Sequence, residues 1–131
     1  MSEPHVIHVC TTCNRSGTVA ERDGTRAGSR LFDDLSGRFA SWAGRDQFEL
    51  RGVACMSACN RACTMAFSAP GKPTYLFGDL DPLPAAADAL DCAALYLTTP
   101  DGTLARGVRP EAFRRGILAR IPALLLLPVE G

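Results

Sequence analysis

Six cysteines are the side chains in this sequence best suited to chemistry. Five of them fall into two tight groups: Cys10 and Cys13 in HVCTTC, and Cys55, Cys59 and Cys63 in VACMSACNRACTMAF. Cysteines used for packing fall singly on apolar faces. CxxC and CxxxC spacings instead turn several sulfurs toward one point, as a metal ion or cluster requires. The leading expectation is therefore a metal centre of the iron–sulfur type, with these five thiols as candidate ligands. A closed zinc site of four cysteines, structural or serving metal delivery, satisfies the same spacing. A thiol–disulfide redox protein using Cys10 and Cys13 is the third reading. Against it, Cys13 is followed by a polar loop and not by a helix whose N-terminus would lower a thiol pKa.

Other residues narrow the choice. Serine elbow, phosphate-binding glycine loop and HExxH motifs are absent from the sequence, so an electron carrier or metal-binding protein is expected in preference to an enzyme. Fourteen basic residues balance fourteen acidic ones, which argues against nucleic acid as a partner. The longest apolar run, Ala123 to Leu127, is far short of the ~20 residues that span a bilayer, so no membrane partner is expected. With no signal-peptide pattern at the N-terminus, a cytoplasmic location is predicted, where clustered cysteines serve as ligands or redox thiols more often than as disulfides. His5 and His8 read as strand side chains and not as ligands. Cys92 reads as a small, partly buried hydrophobe. Arg15 and Arg61 flank the two cysteine groups and are placed to offset a negative cluster.

The elements that must position these thiols follow from local pattern. His5 to Val9 is a β-branched run ending at Cys10. Asn14 to Arg30 reads as a long loop. Ser29 is a candidate cap for a helix whose stripe is Leu31, Leu35, Phe39 and Trp42, with Gly44 as its stop. Gln47 to Val53 alternates as a second strand and delivers Cys55 at its end. Thr64 to Ser68 and Pro73 to Phe77 form a hairpin around Ala-Pro-Gly-Lys. Asp81–Pro82 opens a helix with Ala86, Leu90, Ala94 and Leu97 on one face. Pro110 opens a final helix with Phe113, Ile117 and Ile121 inward. The predicted fold is a single α/β domain over residues 1–131, a sandwich of about four mixed strands with helices packed against it. Both cysteine groups then leave adjacent strands at the same end.

These motifs resemble a known family. HVC…C, CxxxC, a hairpin and a helix resemble the thioredoxin-like two-iron ferredoxins and the small iron–sulfur subunit of NADH and hydrogenase complexes. The resemblance implies a thioredoxin-like fold and a [2Fe–2S] cluster held by Cys10, Cys13, Cys55 and Cys59. Over nearly its full length, with CTTC, CMSACNRACT, GKPTYLFGDLDP and RPEAFRRGILARIP, the chain more closely resembles a bacterial family of unknown function described as predicted metal-binding. Two departures stand out. The first pair is spaced more tightly than in those ferredoxins, and Cys63 is a fifth thiol where they have none. The resemblance makes Cys63 the spare; the alternative is that Cys63 replaces Cys13. A redox partner protein and a second copy of the chain in a homodimer are the partners this reading allows. Arg106, Arg109, Arg114 and Arg115 give a local positive patch, read first as an ordinary solvated helix face and second as a surface that steers an acidic redox partner.

Overall fold

Alternation in HVIHVC forms strand β1 (His5–Cys10), whose Ile7 and Val9 are fully buried while His8 between them is only partly so. A computed structural model describes residues 5–11, 21–22, 25–54, 56, 61, 63–81 and 85–123. After β1 come a short ribbon, β2 (Glu21–Arg22) with β3 (Thr25–Arg26), and helix α1 (Ala27–Phe39). Then follow β4 (Phe48–Val53), the hairpin β5 (Met65–Ala69) and β6 (Lys72–Phe77), and helix α2 (Ala85–Thr98). A short helix α3 (Glu111–Arg115) and strand β7 (Ile117–Ile121) end the described chain.

The main sheet has the order β4-β1-β5-β6-β7. β1 runs parallel to β4, and β5, β6 and β7 join antiparallel. Two helices lie on one face. Leu31 and Leu35 from α1 and Ala86, Ala89, Leu90 and Tyr96 from α2 share one core with Ile7, Val9, Met65, Phe67 and Phe77. Tyr96 carries its hydroxyl into this core and satisfies it by donating to the Pro73 carbonyl at 2.7 Å. The expected α/β sandwich, the parallel crossover and the hairpin are all present.

Three local expectations change. The segment after Pro110 is not one helix: α3 stops after a single turn at Gly116, and Ile117–Ile121 becomes a fifth strand. Phe113, Ile117 and Ile121 fit a helical stripe, but β6 offers an open edge and ILARI is rich in β-branched residues. The backbone bond from Gly78 N–H to Gly116 C=O, 2.7 Å, starts that pairing. Ala86 and Leu90 of the expected α2 stripe are buried, but the buried face also takes in Ala85, Ala89, Cys92, Ala93 and Tyr96, leaving Ala94 and Leu97 at its margin. Six alanines make this helix apolar nearly all round, so Tyr96, its bulkiest side chain, sets which face turns inward. α1 begins at Ala27 and ends at Phe39, so Ser29 lies inside its first turn. Trp42 packs beyond the helix end, on Phe39 and Phe48.

Candidate metal centre

Cys10 is the last residue of β1, and strand alternation puts it on the face opposite Ile7 and Val9. It is fully buried, apart from the helix-side core, with Met56 packed against it. Its backbone is locked from both sides. Its N–H donates to the Thr64 carbonyl at 3.2 Å, and the next residue, Thr11, donates its N–H to the Val53 carbonyl at 2.8 Å. The Thr11 hydroxyl reaches the same carbonyl at 3.3 Å. The segment bearing Cys55 and Cys59 thus departs from a residue paired with Cys10 and returns to another that bonds it. Both ends of that segment are fixed beside one buried thiol.

Cys63 is also fully buried, but it points the other way. It shares the parity of Met65 and Phe67 and lies within the helix-side core. Its backbone is paired in both directions with Leu80, at 3.2 and 3.1 Å. Just before it, Arg61 forms a two-pronged ion pair with Asp79, its Nε 3.0 Å from each carboxylate oxygen. Asp79 N–H donates to the Arg61 carbonyl at 2.6 Å, and Asp79 itself holds a positive φ of 57°. Gly78 allows this close return, since a Cβ there would lie 2.8 Å from the Arg61 carbonyl oxygen. The charge on Arg61 is therefore matched by Asp79, which weakens the expectation that it offsets a cluster. Met56, Gly78 and Asp79 escaped sequence reasoning; the Gly-Asp turn dipeptide after β6 was the one available signal.

Each histidine has a partner of its own among the described residues. His5, at the far end of β1, accepts a 2.8 Å hydrogen bond on Nε2 from Lys72 Nζ and packs against Phe48 and Tyr96. Burial, then the Lys72 charge, lowers its pKa. His8 shares the Cys10 face but bonds Ser68 Oγ at 2.9 Å. Burial, then Arg51, lowers its pKa too. Cys92 lies fully buried in the α2 core, where burial pushes its thiol up to about 12, as suits a packing residue. Among the described residues, no three His, Cys, Asp or Glu side chains gather to hold a metal. Cys13, Cys55, Cys59 and Arg15 lie outside the described residues, so of the candidate ligands only Cys10 and Cys63 are described. Cys10 itself is a buried thiol on an apolar Met56 contact with its flanking backbone locked, a donor whose chemistry suits a soft metal or a cluster.

A family model described as "Protein of unknown function (DUF1636)" matches residues 7–123. None of the curated proteins matches the chain. In solved structures the fold is similar to that of a thioredoxin-like [2Fe–2S] ferredoxin from Aquifex aeolicus. There the TM-score is 0.56 at 15% identity, covering 95% of this chain and 100% of that one. A second structure, of the wild-type ferredoxin of that description from the same organism, aligns with TM-score 0.54 at 14% identity, over 90% of this chain and 99% of that one. At such identities the likeness shows the fold, which is thioredoxin-like. Among the described residues, no helix is long and apolar enough to cross a membrane.

Proposed function

The chain belongs to the DUF1636 family, and we propose that it is a metal-binding protein of the ferredoxin type, holding a [2Fe–2S] cluster and carrying single electrons. The observation that supports this most is the clamping of Cys10 between Val53 and Thr64, the two ends of the segment that bears Cys55 and Cys59. The fold likeness to [2Fe–2S] ferredoxins adds to it. Cys10, Cys13, Cys55 and Cys59 would hold the cluster, and a bound cluster would supply one-electron redox chemistry. The protein's own part is threefold. β1 and β4 end side by side at Cys10 and Val53, Met56 keeps the Cys10 sulfur in apolar surroundings, and the Arg61–Asp79 pair closes the returning chain.

Cys63 is assigned as the spare thiol, because it faces the helix-side core while Cys10 faces away from it. The test is metal content across single variants. Cys13→Ser, Cys55→Ser and Cys59→Ser are expected to lose their metal, whereas Cys63→Ser keeps it. Loss in Cys63→Ser with retention in Cys13→Ser would replace one ligand by the other. Full metal content in both Cys55→Ser and Cys59→Ser would refute the site.

A further inference from the structure

The chain is neutral overall, yet the stretch from Ala105 to Leu118 is not. It holds Arg106, Arg109, Arg114 and Arg115 against a single acid, Glu111, which pairs with Arg115 at 3.5 Å. Three of these guanidinium groups bond to backbone carbonyls. Arg106 Nη1 donates to Arg114 C=O at 3.3 Å, Arg114 Nη1 to Arg109 C=O at 2.9 Å, and Arg109 Nη1 to Phe113 C=O at 3.2 Å. A carbonyl fixes a guanidinium without cancelling its charge. Among the described residues, Arg106, Arg109 and Arg114 have no carboxylate at ion-pair distance. Arg109 is buried and braces the turn from within, so the charge presented to solvent comes from Arg106, Arg115 and the partly buried Arg114, and the carbonyl bonds restrict Arg106 and Arg114 before any partner arrives.

Two further features point to docking. Val108, between Arg106 and Arg109, is 57% exposed, one of two large hydrophobics exposed among the described residues. It adds exposed apolar area beside arginine, a residue enriched at protein interfaces. The turn also adjoins the chain that returns from the cysteine-bearing segment. Gly116, next after Arg115, accepts from Gly78 N–H at 2.7 Å, and Asp79, next after Gly78, donates to Arg61 C=O at 2.6 Å. The arginine turn is thus two backbone bonds from the segment carrying the cysteines.

We propose that the turn from Ala105 to Arg115 is a docking surface for an acidic patch on a partner protein, delivering that partner to the cysteine end of the sheet. A locally acidic protein fits better than nucleic acid. The acids spread over the rest of this neutral chain repel a long polyanion, whereas a partner's acidic patch need cover only this turn. That the partner exchanges electrons rests on the ferredoxin reading above; the charge match does not.

The test uses the full chain as purified, with a short fluorescent oligoglutamate peptide as the acidic probe and duplex DNA as the competing polyanion, at low ionic strength and again at about 0.3 M salt. Two double variants are compared: Arg106→Gln with Arg115→Gln, and Arg38→Gln with Arg45→Gln. All four arginines are exposed, and each pair removes the same charge. Binding of the oligoglutamate peptide by the wild type should fall with salt. It should weaken about tenfold in the first double variant and less than about twofold in the second. No wild-type binding at low salt, equal weakening in both doubles, or tighter binding to DNA would each overturn the proposal. Iron content measured on the same samples separates the two readings. A docking failure in iron-loaded protein leaves the centre intact, and docking by iron-free protein refutes only the centre.

Discussion

Replacing Gly116 by alanine should destabilise the protein sharply, although its backbone conformation is open to alanine. Its φ of −87° and ψ of 4° demand no glycine, so the penalty is one of space alone. A Cβ at this position would lie 2.5 Å from the Gly78 carbonyl oxygen and 2.6 Å from that of Ala112. Both are backbone atoms, so no side-chain rotation relieves the clash. Relief means moving β7 away from β6, at the cost of the Gly78 N–H bond to Gly116 and strain in the Gly116 N–H bond to Ala112. Overpacking of this kind costs about 1–3 kcal/mol, and a weakened backbone bond about 1 kcal/mol more. The expected loss is about 2–4 kcal/mol, roughly 8–16 °C in Tm for a domain of this size. Gly37→Ala is the control, because nothing lies within 4 Å of a Cβ there and it sits exposed inside α1. That change should stabilise by about 0.5–1 kcal/mol. Thermal unfolding followed by circular dichroism compares the two. A Gly116→Ala protein as stable as wild type would refute the placement of β7 against the cysteine end.

Two further outcomes follow from buried titratable groups. Because the native pKa of His5 is lowered, the unfolded chain binds its proton at a higher pH than the folded one does. Stability should be full above the ordinary histidine value of 6.5 and fall as pH drops below it, with His8 adding the same sign. Urea midpoints should show a shallower acid decline in His5→Gln, and an unchanged slope would contradict the partial burial of His5 beside Lys72. Cys92, buried and with its thiol pushed up to about 12, should resist iodoacetamide until the chain unfolds. Cys92→Ala should keep full metal content while costing about 1 kcal/mol for the small cavity; labelling of the native thiol, read by mass spectrometry, would contradict its burial.

Strand β1, the crossover to β4 and the hairpin were legible because each pairs a clear alternation with a strong turn or a cysteine at its end. Pro70–Gly71 marks the hairpin, and Gly71 indeed holds a φ of 75°. The end of the chain was not legible by periodicity, since Phe113, Ile117 and Ile121 satisfy a helix, and only the open edge of β6 decides for a strand. The face of α2 was equally ambiguous, because alanines carry no directional signal and a single tyrosine sets it. At the site, spacing alone identified the cysteine groups and their strand ends. It left open that Cys10 and Cys63 point to opposite faces of the sheet, since that depends on the register of β5 against β1. The Arg61–Asp79 pair joins residues eighteen apart through backbone that only the folded sheet brings together.

The decisive observation is the visible absorption spectrum of anaerobically purified protein, with iron, zinc and acid-labile sulfide determined on the same sample. A [2Fe–2S] centre requires a brown protein with about two irons and two sulfides per chain, bleached by reduction. A colourless protein with about one zinc per chain and no sulfide would replace the cluster by a zinc site of four cysteines. Protein without any metal, and unable to take it up, would contradict the metal centre itself.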